Sequence, residues 1–149
     1  MFGSSRSTIL WSLSIAIAVL GSACGQSRIE QCNNIIEIAN EAVNEAKQLT
    51  NGGQTDDPQA MVEAADAMEQ AAQDMEALEL VDPTLQDYRQ GFIAMYEETS
   101  AATREFVEAF EQKDRPVAEA ALSRLQRATN PEEELVQGIN EYCTGGTTP

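Results

Sequence analysis

The stretch LQDYRQGFIAMYEETSAATREFVEAF, residues 85–110, decides the fold. Leu85, Tyr88, Phe92, Met95, Thr99, Ala102, Phe106 and Ala109 recur at alternating steps of three and four, the period that gathers side chains on one stripe of an α-helix. Asp82-Pro83 stands before this stretch, with aspartate suited to the cap and proline to the first helical position. Asp114-Arg115-Pro116 closes it and opens the next segment. Gly91 lies inside it, where glycine costs helix stability, and this predicts a close approach of another helix.

The same period continues on both sides. Upstream, Met61, Ala64, Met68, Ala71, Met75 and Leu78 follow an Asp57-Pro58 start, and the seven-residue step of the methionines predicts core positions, with a soft-metal or partner surface as the other use of the stripe. Further upstream, Ile29, Cys32, Ile36, Ala39, Val43 and Ala46 form a stripe widened by Ile35, Ile38, Ala42 and Leu49. Asn51-Gly52-Gly53 ends that segment, as glycine past a helix C-terminus commonly does. Downstream, Ala118, Ala121, Leu125 and Ala128 lead to Asn130-Pro131, which reads as a fresh cap and proline before the acidic turn Glu132-Glu133-Glu134. Leu135, Ile139 and Tyr142 keep the earlier register, so 116–143 is expected to be one kinked helix or two short collinear ones. Residues 144–149 are expected to be a frayed, disordered tail.

No strand-like alternation occurs in this region. Four amphipathic segments with short connections predict an all-α, antiparallel up-down-up-down four-helix bundle over residues 29–143. Tyr88, Phe92, Tyr96, Phe106 and Phe110 all fall in the third segment, opposite stripes rich in alanine, and large against small is how such cores interdigitate. These aromatics are therefore expected to be core residues, with a cofactor or lipid slot as the other use of such a row.

The first 23 residues stand apart. Arg6 precedes an apolar run from Ile9 to Leu20, matching the hydrophobic region of a signal peptide and shorter than the roughly 20 residues that span a bilayer. Leu20-Gly21-Ser22-Ala23-Cys24 resembles the lipobox of the bacterial lipoprotein class. The resemblance implies cleavage before Cys24, a diacylglyceryl group on its sulfur and stable anchoring by two or three acyl chains. Residues 24–28 would then be a lipidated N-terminus and short linker. An ordinary secretory signal with a chance cysteine is the other reading. By similarity to enteric lipoproteins, Gly25 rather than aspartate after Cys24 implies the outer membrane. In layout the whole is similar to small lipidated four-helix proteins such as the CyanoQ-type photosystem subunits.

With Cys24 assigned to lipid, Cys32 and Cys143 remain as a pair in an exported chain, and a disulfide is the expected state. Two buried free thiols are the alternative. In an antiparallel four-helix bundle the start of the first helix and the end of the last share one end, where these two cysteines lie. Tyr142 is expected to pack over the bridge.

The 149 residues hold 9 Lys+Arg and 25 Asp+Glu, a net charge of −16, with no histidine. Cleavage after Ala23 would remove one base, Arg6, and no acid, taking the charge to −17. Such a chain cannot neutralise a row of phosphates, so nucleic acid is excluded as a partner. The missing histidine removes the commonest general base and the commonest metal ligand. No nucleophile motif or phosphate loop occurs, so no enzymatic activity and no cofactor are expected. Glu37, Glu41 and Glu45 line one helical face at four-residue steps, either as a solvated face or as a surface for a partner protein. Asp56 and Asp57, beside Asn51 and Thr55, could offer oxygens to a divalent cation or serve as cap and loop. Two functions follow as expectations: a lipid-anchored, extracytoplasmic adaptor or assembly factor that binds another envelope protein, or a bundle that binds a small ligand or a divalent cation.

Overall fold

The computed structural model describes residues 26–145. The signal segment, the lipobox with Cys24, Gly25 and residues 146–149 of the tail lie outside the described residues. Five helices follow one another: α1 (Arg28–Leu49), α2 (Pro58–Glu76), α3 (Pro83–Glu111), α4 (Arg115–Thr129) and α5 (Glu132–Cys143). Aspartate opens three of them. Asp57, Asp82 and Asp114 accept the N–H groups of Gln59, Leu85 and Val117 at 3.0, 3.1 and 3.3 Å, with proline in the first turn each time. Ser27 Oγ does the same for α1 through Glu30 N–H. After α1 the chain reverses through Asn51, Gly52 and Gly53, all at positive φ, a conformation that glycine adopts without a Cβ clash.

The molecule is an all-helical, four-legged bundle, and α4 with α5 forms its fourth leg. Pro131 has no N–H to continue the ladder of α4, so the helix breaks there. Asn130 keeps a helical backbone and no side chain caps α5, which corrects the expectation of a fresh cap at this point. The register nevertheless survives the break. Arg124 meets Glu98, Leu135 faces Gly91, Gly138 faces Tyr88 and Tyr142 bonds Asp82, so α4 and α5 follow one antiparallel track along α3. A Cβ on Gly91 would stand 2.6 Å from Leu135 Cδ2, the close helix approach its position predicts.

The disulfide joins Cys32 and Cys143, with their Cα atoms 5.9 Å apart. Around it lies the continuous core: Ile35, Met75, Leu85, Phe92, Tyr96 and Ile139 are all sealed from solvent. Each of these side chains other than Tyr96 contributes roughly 1.5–3 kcal/mol by leaving water.

Three expectations about the stripes are corrected. Ile29 is 64% exposed, because α1 is turned so that Gln31 and Cys32 face inward instead. Met75 is core, but Met61 and Met68 are only half-buried. Phe92 and Tyr96 are core, whereas Phe106 is half-buried and Phe110 is 58% exposed. Met68 and the half-buried Tyr88 still pack against the core, whereas Met61, Phe106 and Phe110 belong to the half of the bundle remote from the disulfide. There α1 packs on α2 but makes no comparable contact with α4. Among the described residues no helix is long and apolar enough to cross a membrane.

Candidate functional site

One end of the bundle is bound together by polar groups as well as by the disulfide. Gln31, buried in the first turns of α1, accepts the N–H groups of Val81 and Asp82 on Oε1 at 2.8 and 3.2 Å, and its Nε2 donates to Gln26 O at 2.9 Å. The α2–α3 connection is held from its other side by Gln86 Nε2 donating to Leu80 O and Arg89 Nη1 to Leu78 O, each at 2.7 Å. Tyr142 donates its phenol proton to Asp82 Oδ2 at 2.8 Å, while its ring lies under the Arg28 guanidinium, 5.3 Å from the centroid. Burial acts to raise the Asp82 carboxyl. The phenol of Tyr142, the N–H groups of Leu85 and Thr84 and the charge of Arg28 outweigh it and hold Asp82 below the ordinary aspartate value. Sequence periodicity missed Gln31, whose amide makes most of this junction; its place beside Cys32 was the available signal.

The acidic flank is open to water. Glu37, Glu41 and Glu45 are all exposed on α1, and none of the three belongs to an ion pair among the described residues. The acids that are paired lie elsewhere. Arg104 of α3 spans Asp66 and Glu69 of α2, and Arg124 of α4 spans Glu98 and Glu105 of α3. Bonds to Asp66 and to Glu98, respectively, hold these two guanidinium groups above their usual value. Pairs this exposed add little to stability. Their geometry fixes which helix lies beside which.

Asp56 and Asp57 are exposed in the α1–α2 connection. Asp57 Oδ1 is occupied as the α2 cap, and Asp57 N–H donates to Thr55 Oγ1 at 3.2 Å. Among the described residues no group of three or more histidine, cysteine, aspartate or glutamate side chains could hold a metal.

A cleft of about 350 Å³ opens in the half of the bundle remote from the disulfide, where α1 and α4 stand apart. Ala46 of α1, Met61 and Met68 of α2, Phe106 of α3, and Leu122 and Leu125 of α4 line it. All four legs thus contribute, and the small residues predicted to interdigitate with the aromatics leave this space unfilled. In the core, by contrast, the Tyr96 hydroxyl is buried with no hydrogen-bond partner among the described residues. Burial, and secondarily the charge of Glu132, pushes its pKa far up.

No family model, curated protein or solved structure matches this chain.

Proposed function

We propose that this protein is a bacterial lipoprotein, anchored through acyl chains on Cys24 and exposed on the extracytoplasmic face of an envelope membrane, where it serves as a non-enzymatic adaptor or assembly factor for another membrane or envelope protein. The observation that carries the reading is the shortness of the link. The helix begins at Arg28, so Gly25, Gln26 and Ser27 alone separate it from Cys24, and soon after its start Gln31 and Cys32 are tied to the α2–α3 connection and to α5. An anchor at Cys24 would therefore hold the whole bundle with its bridged end toward the lipid. The 22 residues of α1 rise roughly 33 Å, which carries the α1–α2 and α3–α4 connections clear of the headgroups.

Charge supports the same orientation. A bundle this acidic is repelled by anionic lipid and stands away from the surface. Glu37, Glu41 and Glu45, exposed on α1 and unpaired among the described residues, are the proposed face for a basic partner, steered by charge over a Debye length of about 8 Å at physiological salt.

The test is cross-linking in native membranes followed by isolation of the lipidated protein. One stoichiometric partner is expected. Reversing Glu37, Glu41 and Glu45 to lysine should slow its capture at low salt while leaving the helix content intact. Equal capture by the triple variant at low and high salt would move the binding face elsewhere.

A further inference from the structure

We propose that the cleft between α1 and α4 is a binding site for a single neutral apolar chain, such as that of a long-chain alcohol or a monoacylglycerol. The site goes beyond the adaptor reading and does not depend on it.

The walls select the chemistry. Met61, Met68, Phe106, Leu122 and Leu125 present only carbon and sulfur to the space, and among the described residues no lysine or arginine lines it. A carboxylate or phosphate head would therefore find no counter-charge inside a chain of net −16. Three of the four threonine hydroxyls at the walls already make hydrogen bonds. Thr50 and Thr103 donate to the carbonyls of Ala46 and Thr99, one turn back, at 2.7 and 2.8 Å. The oxygens of Thr50 and Thr55 also accept N–H groups, from Gly53 and Asp57. Water entering the cleft would gain few partners, and an apolar chain would lose none.

Size and access agree with this occupant. A cavity of about 150 Å³ holds benzene, so about 350 Å³ has room for a chain of roughly a dozen carbons. Leu122 lies at the mouth, 42% exposed, where it would be covered by the bound chain. Methionines adapt to a flexible chain better than branched side chains do, and Met61 and Met68 both line the cleft, Met68 at its border with the core.

The experiment is photo-labelling of the full chain in membranes with a diazirine-bearing dodecyl alcohol, mapped by peptide mass spectrometry. Labels are expected within 61–68, at Phe106 and within 122–125, and excess unlabelled dodecanol should remove them. Ala64→Leu with Thr103→Leu fills the space and should weaken labelling at least tenfold, equivalent to about 1.4 kcal/mol. That double variant should also melt higher than the parent, since it fills a void. Should it misfold instead, Leu122→Glu carries the test, because it places a charge at the exposed mouth without touching the core. The proposal is overturned by labels scattered over the surface, by labels that unlabelled alcohol does not displace, by unchanged labelling of a folded filled variant or of Leu122→Glu, or by cross-links showing a second copy seated on the cleft.

Discussion

Tyr142 and Asp82, 60 residues apart in sequence, share one hydrogen bond of 2.8 Å that ties the end of α5 to the start of α3. The other oxygen of the same carboxylate caps α3 through Leu85 N–H. One side chain thus serves as helix cap and as interhelical tie, at the end of the bundle where the disulfide lies.

Asp82→Asn should therefore destabilise the fold at neutral pH by about 1.5–3 kcal/mol, the scale of a hydrogen bond to a charged group. Because the folded carboxyl titrates below 3.8, its contribution is complete above that value and disappears as pH falls through the lower, folded one. Denaturant melts at several pH values should show the gap between parent and variant closing below about pH 4. A gap that stayed constant down to pH 2 would remove the charge from the explanation.

Replacing Cys32 and Cys143 together by alanine should leave a helical protein that melts well below the parent. The bridge spans 111 residues, for which loop closure is worth about 4–5 kcal/mol. Gln31, Gln86 and Arg89 hold the same end without it, so helix content by circular dichroism should persist at low temperature. A double variant that melts with the parent would show that these polar ties suffice.

Tyr96→Phe should be neutral or stabilising, by up to about 1 kcal/mol, since it deletes a buried hydroxyl without a partner. The sign with pH is opposite to that of Asp82. Burial raises the phenol's pKa, so above pH 10 the unfolded chain ionises while the folded one resists, and stability falls as pH rises. The phenylalanine variant should lose this component of alkaline unfolding. A variant less stable than the parent at pH 7 would reveal a partner for the hydroxyl.

Gly138→Ala should destabilise, because its Cβ would stand 2.6 Å from Tyr88 Oη and 2.9 Å from Cε1. Overpacking of this kind costs about 1–3 kcal/mol, against roughly 1 kcal/mol gained in helix propensity. Adding Tyr88→Phe removes the nearer atom and should restore part of the loss, which a double-mutant cycle in denaturant would measure. Purely additive effects would mean that the ring does not press on Gly138.

Much of this fold was legible in the sequence, and the parts that were not have physical causes. The Asp-Pro pairs at 57–58 and 82–83, the glycines at 52–53 and the three-and-four period located the helices, because each marks a local backbone requirement. The position of the cysteines announced the bridge once the legs were antiparallel. Helical period does not fix the rotation of a helix closely enough to choose between Ile29 and Gln31, two residues apart, and the structure turns Gln31 inward because the α2–α3 connection needs its amide. The cleft was illegible for a different reason. Met61, Met68 and Phe106 have core spacing, and only the separation of α1 from α4 leaves them facing a space.

Lipid anchoring at Cys24 is the claim on which the proposed function rests, and the intact mass of the protein extracted from native membranes tests it most directly. The expected species begins at Cys24, lacks residues 1–23 and carries the added mass of two or three acyl chains. A chain that begins anywhere else, or that begins at Cys24 without acyl mass, would contradict it.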